Sequence, residues 1–284
     1  MSKARVAVVT DSTAYLPPDL VQKHALHVIP QILNWEGRSM IDGVDIRPSE
    51  FYERLKTAQE MPTTSQPSAG QFFEFFSQVA ETAESIVGIF ISEHLSGTLT
   101  SARAAVEMMK GCPVEIVDSR STSMGLGFIA LAAARAAQEG LSITEVVRVA
   151  RKMVPGMRVL FVVDTLEFLH RGGRIGGAQR LLGSALSIKP VLHLKDGRIE
   201  PLQSVRTKRK AIEAMLAHAQ SETQGKRVLH AAVLDASAPE EARAVQDEVV
   251  KRLHPEELVR AELSPVIGTH TGPGMVGIAY YAEE

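Results

Sequence analysis

The chain of 284 residues carries a formal charge of −2, is 45% hydrophobic and only 5% aromatic. That size suits two α/β domains or one large one, and the composition excludes a disordered chain. The near-neutral charge gives no global case for binding nucleic acid or an anionic membrane surface, and the single cysteine, Cys112, excludes an internal disulfide or a cysteine-rich metal site.

In chain order, the start MSKARVAVVTDS runs straight into a strand with no apolar stretch of signal-peptide length, which predicts a cytoplasmic protein. Residues 5–9, 27–33, 86–91 and 114–117 read as strands. Between them lie helical patterns over residues 17–24, 48–57, 69–83 and 98–110. Alternation of this kind predicts βαβ units and a mainly parallel sheet. Residues 121–139 and 142–153 read as two further helices, the second opened by a capping box of Ser142 and Glu145. The small-residue run Met124 to Ala137 contains Arg135 and is too short to span a bilayer.

Pro155-Gly156 punctuates the chain, which predicts an N-terminal domain over residues 1–156 and a C-terminal domain over 157–284. The second opens with a strand at 158–163. Strands over 189–194 and 199–205 flank the turn KDGR, a β-hairpin signal in which Asp196-Gly197 supplies the left-handed residues. The cluster RTKRK, Arg206 to Lys210, leads into a helical pattern and reads as a solvated helix start. Strands at 228–234, 258–263 and 276–281, with a helix over 239–252, complete a mixed sheet. The fold class is therefore α/β in two parts, a mainly parallel sheet and then a mixed one, each with helices.

Four polar turns sit beside apolar elements, where α/β proteins place ligand clefts. In VVTDSTA, Asp11 reads first as an Asx turn capping the next helix. In PTTSQPSAG, Pro62 and Pro67 stiffen a loop presenting Thr63, Thr64 and Ser65, while Ser68 is placed to cap the following helix. In FISEHLSGTLTSA, a strand breaks into hydroxyls and glycine before a helix, so Ser96 and Thr98 are N-cap candidates and Gly97 permits close approach to a carboxylate or phosphate. The fourth, VIGTHTGPGMVG, sets His270 among Thr269, Thr271, Gly272 and Gly274. A P-loop, a dinucleotide fingerprint, HExxH, paired cysteines and a GxSxG elbow are all absent from the sequence.

Taken together and in this order, the segments VTDSTAYLP, TSQPS, ISEHLSGTLTSA, VDSRSTSMGLG, LEFLHRGGRIGG, IKPVLHLKDGRIEPLQSVRTKRKA and THTGPGMVG resemble the DegV family over nearly the whole chain. The resemblance implies a bacterial two-domain protein that holds a long-chain fatty acid in a buried tunnel, with no catalysis and no cofactor of its own. Relatives with an assigned role are binding subunits of fatty acid kinase. They present the acyl carboxylate to a separate ATP-dependent kinase subunit, which makes acyl phosphate for phospholipid synthesis.

On the same resemblance the carboxylate contacts fall on Thr64, Ser96 and His270, with Ser65, Gly97, Thr98 and Thr269 as secondary candidates and Arg174 as a residue near the mouth that faces the kinase. The chain departs from the commoner SSKLSGT pattern by carrying Glu93 and His94, and Glu93 beside a carboxylate is repulsive unless turned outward. Candidate tunnel walls are Leu181 to Ile188, the cluster Phe72, Phe73, Phe75 and Phe76, and the run near Met124. Two other readings remain open. One is a hydrolase or acyl transferase with Ser96 as nucleophile, His270 as base and Asp11 as orienter. The other is a sugar- or nucleotide-binding module using RGGRIGG, Arg171 to Gly177, as a phosphate nest.

Overall fold

The computed structural model describes residues 3–184 and 188–284. The first half begins β1 (Ala7–Asp11), α1 (Pro18–Lys23), β2 (His27–Ile29), β3 (Ile32–Trp35), β4 (Arg38–Ile41), α2 (Pro48–Leu55) and β5 (Thr63–Ser65). It continues α3 (Ala69–Thr82), β6 (Ile86–Phe90), α4 (Thr98–Met108), β7 (Val114–Asp118), α5 (Ser123–Gln138) and α6 (Ile143–Met153). After Pro155 come β8 (Arg158–Val162), α7 (Glu167–Arg171), β9 (Lys189–Lys195), β10 (Arg198–Val205) and α8 (Lys208–Thr223). The chain closes with β11 (Arg227–Asp235), α9 (Pro239–Leu253), β12 (Glu257–Glu262), α10 (Pro265–Thr271) and β13 (Val276–Glu283).

A four-stranded parallel sheet, ordered β2-β1-β6-β7, occupies the first half, and a six-stranded mixed sheet, β10-β9-β8-β13-β11-β12, the second. The expected single strand over 27–33 is two strands in different sheets. Pro30 lies at the break, where it cannot donate to a ladder, and β3 instead joins β4 and β5 in a small antiparallel sheet that the alternation did not signal. The hairpin turn has the expected left-handed pair, Asp196 at φ 50° and Gly197 at φ 80°.

Helix α5 explains why the halves share a core. Residues 123–131 are buried without a break, so the helix has no solvent face at its start and lies between the two sheets, touching β1 and β6 on one side and β11 and β13 on the other. The largest buried cluster accordingly joins Val8, Ile89 and Ile129 to Phe161, Leu234 and Ala279. Among the described residues no helix is long and apolar enough to cross a membrane.

The phenylalanine cluster has a different place from the one expected. Phe72 and Phe76 pack edge-on and tilted around Phe90 on the outer face of the parallel sheet, in a core separate from the one that joins the halves. They hold α3 to the sheet rather than line a tunnel. Ser68 caps that helix in a reciprocal box with Gln71, and Ser142 does the same for α6 with Glu145.

Candidate functional site

The polar turns converge on a cavity between the halves that encloses about 780 Å³ of space between atoms, its solvent-open part included. Its lining is mostly apolar. Ile91 comes from the end of β6, Val159 and Phe161 from β8, Leu234 from β11, Leu263 and Ile267 from the β12–α10 junction. The polar part of the wall includes Thr64, Ser96, Arg174 and His270, with Gln31 and Ser65.

Thr64 stands on β5, paired in register with Leu33, and its Oγ1 lies 2.8 Å from His270 Nε2. His270 occupies the last turn of α10, so the segment expected as a glycine-rich turn is a short helix, capped at its start by Ser264 and ended by Gly272 at φ 72°. Burial, and next the Arg174 guanidinium, pull the imidazole down from its ordinary 6.5 to about 4, so the ring is neutral at pH 7. Its Nδ1 is buried against Gly172 without a hydrogen-bond partner among the described residues. An unpaired lone pair is cheaper to bury than an unpaired N–H, which assigns the proton to Nε2 as donor to Thr64. The hydroxyl hydrogen of Thr64 is then free for a ligand.

Ser96 sits in the turn before α4. The N-cap of that helix is Gly97, without a side-chain cap bond, so neither Ser96 nor Thr98 has the expected capping role. Ser96 Oγ instead accepts from Thr98 N at 3.3 Å and lies 2.8 Å from Thr98 Oγ1. Arg174 holds this turn in place: its Nε donates to Leu95 O at 2.9 Å and its Nη1 to Gly172 O at 2.7 Å. The same guanidinium therefore ties the Ser96 turn to the segment that packs on His270. Ser92 Oγ adds a second tie, donating to Gly197 O at 2.9 Å across the halves.

Thr64, Ser65, Ser96, His270 and Arg174 all line the cavity, whereas Gly97, Thr98 and Thr269 do not; Thr269 Oγ1 is bonded back to Pro265 O within its helix. Arg174 is half-buried in this wall rather than projecting from a surface. Glu93 is turned outward and pairs with Arg103 at 3.1 Å, away from the polar wall. Of the expected walls, the run near Met124 contributes only Thr122 and Ser123 just ahead of it, and its remainder is inter-sheet core. Leu181 and Leu182 pack against the core, and residues 185–187 of that segment lie outside the described residues. Sequence reading missed the β8 and β11 side chains of the wall, because a strand buried on both faces shows no difference between core and cavity positions.

The two other readings lose their geometry here. Asp11 is fully buried, with Oδ1 accepting from Thr13 N and Thr13 Oγ1 and Oδ2 from Ile91 N, so it orders its own turn and does not orient His270. Ser96 is bonded to Thr98 and His270 to Thr64, so no nucleophile–base pair is assembled. In RGGRIGG the backbone N–H groups of Gly172, Gly173 and Arg174 are bonded to Phe168, His170 and Leu169 carbonyls at the end of α7. That is the negative end of a helix, with its donors already engaged. Among the described residues no group of three or more His, Cys, Asp or Glu side chains could hold a metal ion.

Known proteins share both the sequence and this architecture. A DegV domain-containing protein of Streptomyces coelicolor is 41% identical over 275 residues, 96% of this chain and 97% of its own length. The structure of a fatty-acid-binding DegV family protein from Thermus thermophilus superposes with a TM-score of 0.93 at 37% identity, covering 98% of this chain and 100% of its own. That of DegV from Bacillus subtilis, described as a fatty acid binding protein, gives 0.91 at 33% identity, covering 99% and 100%. The family model described as an uncharacterised protein of the DegV family matches residues 5–283, and the chain belongs to that family.

Proposed function

We propose that this chain binds one long-chain fatty acid, with the tail along the apolar wall and the carboxylate at Thr64, Ser96 and His270, and presents that carboxylate to a separate ATP-dependent kinase subunit. The observation that carries the reading is the composition of the cavity: the hydroxyls of Thr64 and Ser96 and the imidazole of His270, held by the Thr64–His270 and Arg174–Leu95 bonds, on the wall of a cavity whose accessible lining is mostly apolar. Such a site suits an amphiphile with one small anionic head. Each buried CH₂ contributes about 0.8 kcal/mol, so the tail supplies most of the affinity and the head group sets orientation. The fatty acid binding described for the Thermus thermophilus and Bacillus subtilis relatives supports the same ligand class. A division into domains at residues 1–156 and 157–284 fits this reading, since the cavity draws its wall from both.

The test is extraction and mass analysis of lipid retained on purification, followed by thermal unfolding of delipidated protein with fatty acids of twelve to twenty carbons. A retained acid, or a rise in midpoint with added acid, is expected, because a ligand selective for the native state stabilises it. A folded, delipidated protein that responds to none of these acids overturns the reading. For the kinase step, the chain alone is expected to make no acyl phosphate from ATP and fatty acid, and to support its formation when the matching kinase subunit is added.

A further inference from the structure

Behind Ser96 the hydroxyls continue into a buried amide. Gln31 lies between β2 and β3, is 2% exposed and reaches the cavity wall. Its backbone N–H donates to Ser12 Oγ at 3.0 Å and its carbonyl accepts from Asp42 N at 3.0 Å, so the main chain there is fixed on both sides. Its side-chain Nε2 donates to Thr98 Oγ1 at 3.0 Å. The amide oxygen stands farther off, 3.4 Å from the same hydroxyl, so the nitrogen is the end of the amide that faces Thr98.

That choice propagates. Thr98 Oγ1 accepts from Gln31 and has one hydrogen to give. The acceptors within reach are Ser96 Oγ at 2.8 Å and Gln31 Oε1 at 3.4 Å, and the shorter contact takes it. Ser96 Oγ then accepts from both Thr98 Oγ1 and Thr98 N, leaving its own hydrogen no internal acceptor in this chain of bonds and turning it to the cavity.

We propose that Gln31 is a positioning residue that sets the direction of the Gln31–Thr98–Ser96 hydrogen-bond chain, so that Ser96 is an obligatory donor and the site selects an acceptor-only head group, an ionised carboxylate, over an alcohol of the same tail. The inference rests on the fatty-acid reading above. Without the amide donor, Thr98 is free to accept from Ser96, and the Ser96 hydrogen turns inward. A carboxylate then faces a lone pair. A hydroxyl head group is indifferent, because it donates as readily as it accepts.

The experiment measures palmitate and 1-hexadecanol affinities side by side. Gln31→Leu is expected to lower the palmitate-to-hexadecanol preference about tenfold with hexadecanol affinity little changed, the scale of one hydrogen bond to a charged group. Thr98→Val alone is expected to keep the preference, since Ser96 then has no inward acceptor. The double variant Gln31→Leu/Thr98→Val is expected to recover most of it, which loss of packing would not do. Gln31→Met, unbranched and close in length, carries the same expectation should the leucine variant fail to fold. Equal loss of both ligands, or an unchanged preference in folded Gln31 variants, overturns the inference while leaving fatty acid binding standing. Wild-type protein that takes up neither ligand overturns the underlying reading and the inference with it.

Discussion

Thr64 Oγ1 and His270 Nε2, 206 positions apart in sequence, meet at 2.8 Å and close the polar wall between a small antiparallel sheet and the last turn of α10. The contact holds together two segments that come from opposite halves. Thr64→Val preserves the branched shape and removes the hydroxyl that bonds the imidazole. Palmitate affinity is expected to fall by about 1–2 kcal/mol, with Thr64→Ser restoring most of it. Isothermal titration reads both, and a valine variant that binds as tightly as wild type would place the carboxylate elsewhere.

Gly172 provides a steric test of the same ring. A Cβ at this position lies 2.2 Å from His270 Nδ1, closer than real contacts allow, and a tight 3.1 Å from Phe168 O, although the backbone there has an ordinary negative φ of −75°. Gly172→Ala must therefore displace the imidazole rather than strain its own main chain. The expected result is a loss of palmitate affinity at least as large as that of Thr64→Val, with stability reduced by roughly 1–3 kcal/mol. Retained affinity with an unmoved thermal midpoint would show that the ring has room to spare.

Much of the architecture is legible in the sequence for a physical reason: strands such as 86–91 are short β-branched runs, and helices such as 142–153 announce their starts by reciprocal capping. The illegible parts are those where one residue type serves two ends. Gly268, Gly272 and Gly274 read as a turn, yet Gly268 is in α10 because a side chain there would strike Tyr52 and Phe51, so the glycine answers to packing against α2 and not to chain reversal. The phenylalanines 72 and 76 are equally ambiguous, since apolarity does not say whether a ring fills a core or faces a ligand. The hydroxyls Thr64 and Ser96 and the imidazole of His270 could be named as candidates, but their alliance with Gln31 could not, because nothing local in IPQIL marks an amide that works across 67 positions to Thr98.

Arg174 separates a structural role from a docking role. The resemblance implies a residue near the mouth that faces the kinase, and its guanidinium bonds the Leu95 and Gly172 carbonyls in the cavity wall. Arg174→Ala leaves two carbonyls without those donors and frees the Ser96 turn. Lipid affinity and folding stability should fall together, by about 1–3 kcal/mol each, and Arg174→Lys should recover only part, because a single ammonium does not reproduce a fork spanning two acceptors. Unchanged lipid affinity combined with lost kinase turnover would instead assign the residue to the partner.

Two buried groups near α10 oppose each other in pH dependence. Burial holds the His270 imidazole down at about 4, so between about pH 4 and 6.5 the unfolded chain binds a proton that the native state does not, and this contribution to stability rises with pH. Asp42 has the reverse sign. Burial, with Asp11 as a further like charge, pushes its carboxyl up to about 7 despite the hydrogen bond from Ser12 Oγ at 2.6 Å. Between about pH 4 and 7 the native state holds the proton that the unfolded chain has released, so this contribution falls as pH rises. By linkage the first is worth about 3 kcal/mol across its window and the second about 4 kcal/mol, in opposite directions. Asp42→Asn, which keeps an acceptor for Ser12, should make stability climb more steeply from pH 4.5 to 7 than in wild type. His270→Gln should make it decline relative to wild type over the same range. Urea unfolding at several pH values measures both slopes, and two variants whose stabilities track wild type in parallel would show that neither group titrates differently on folding.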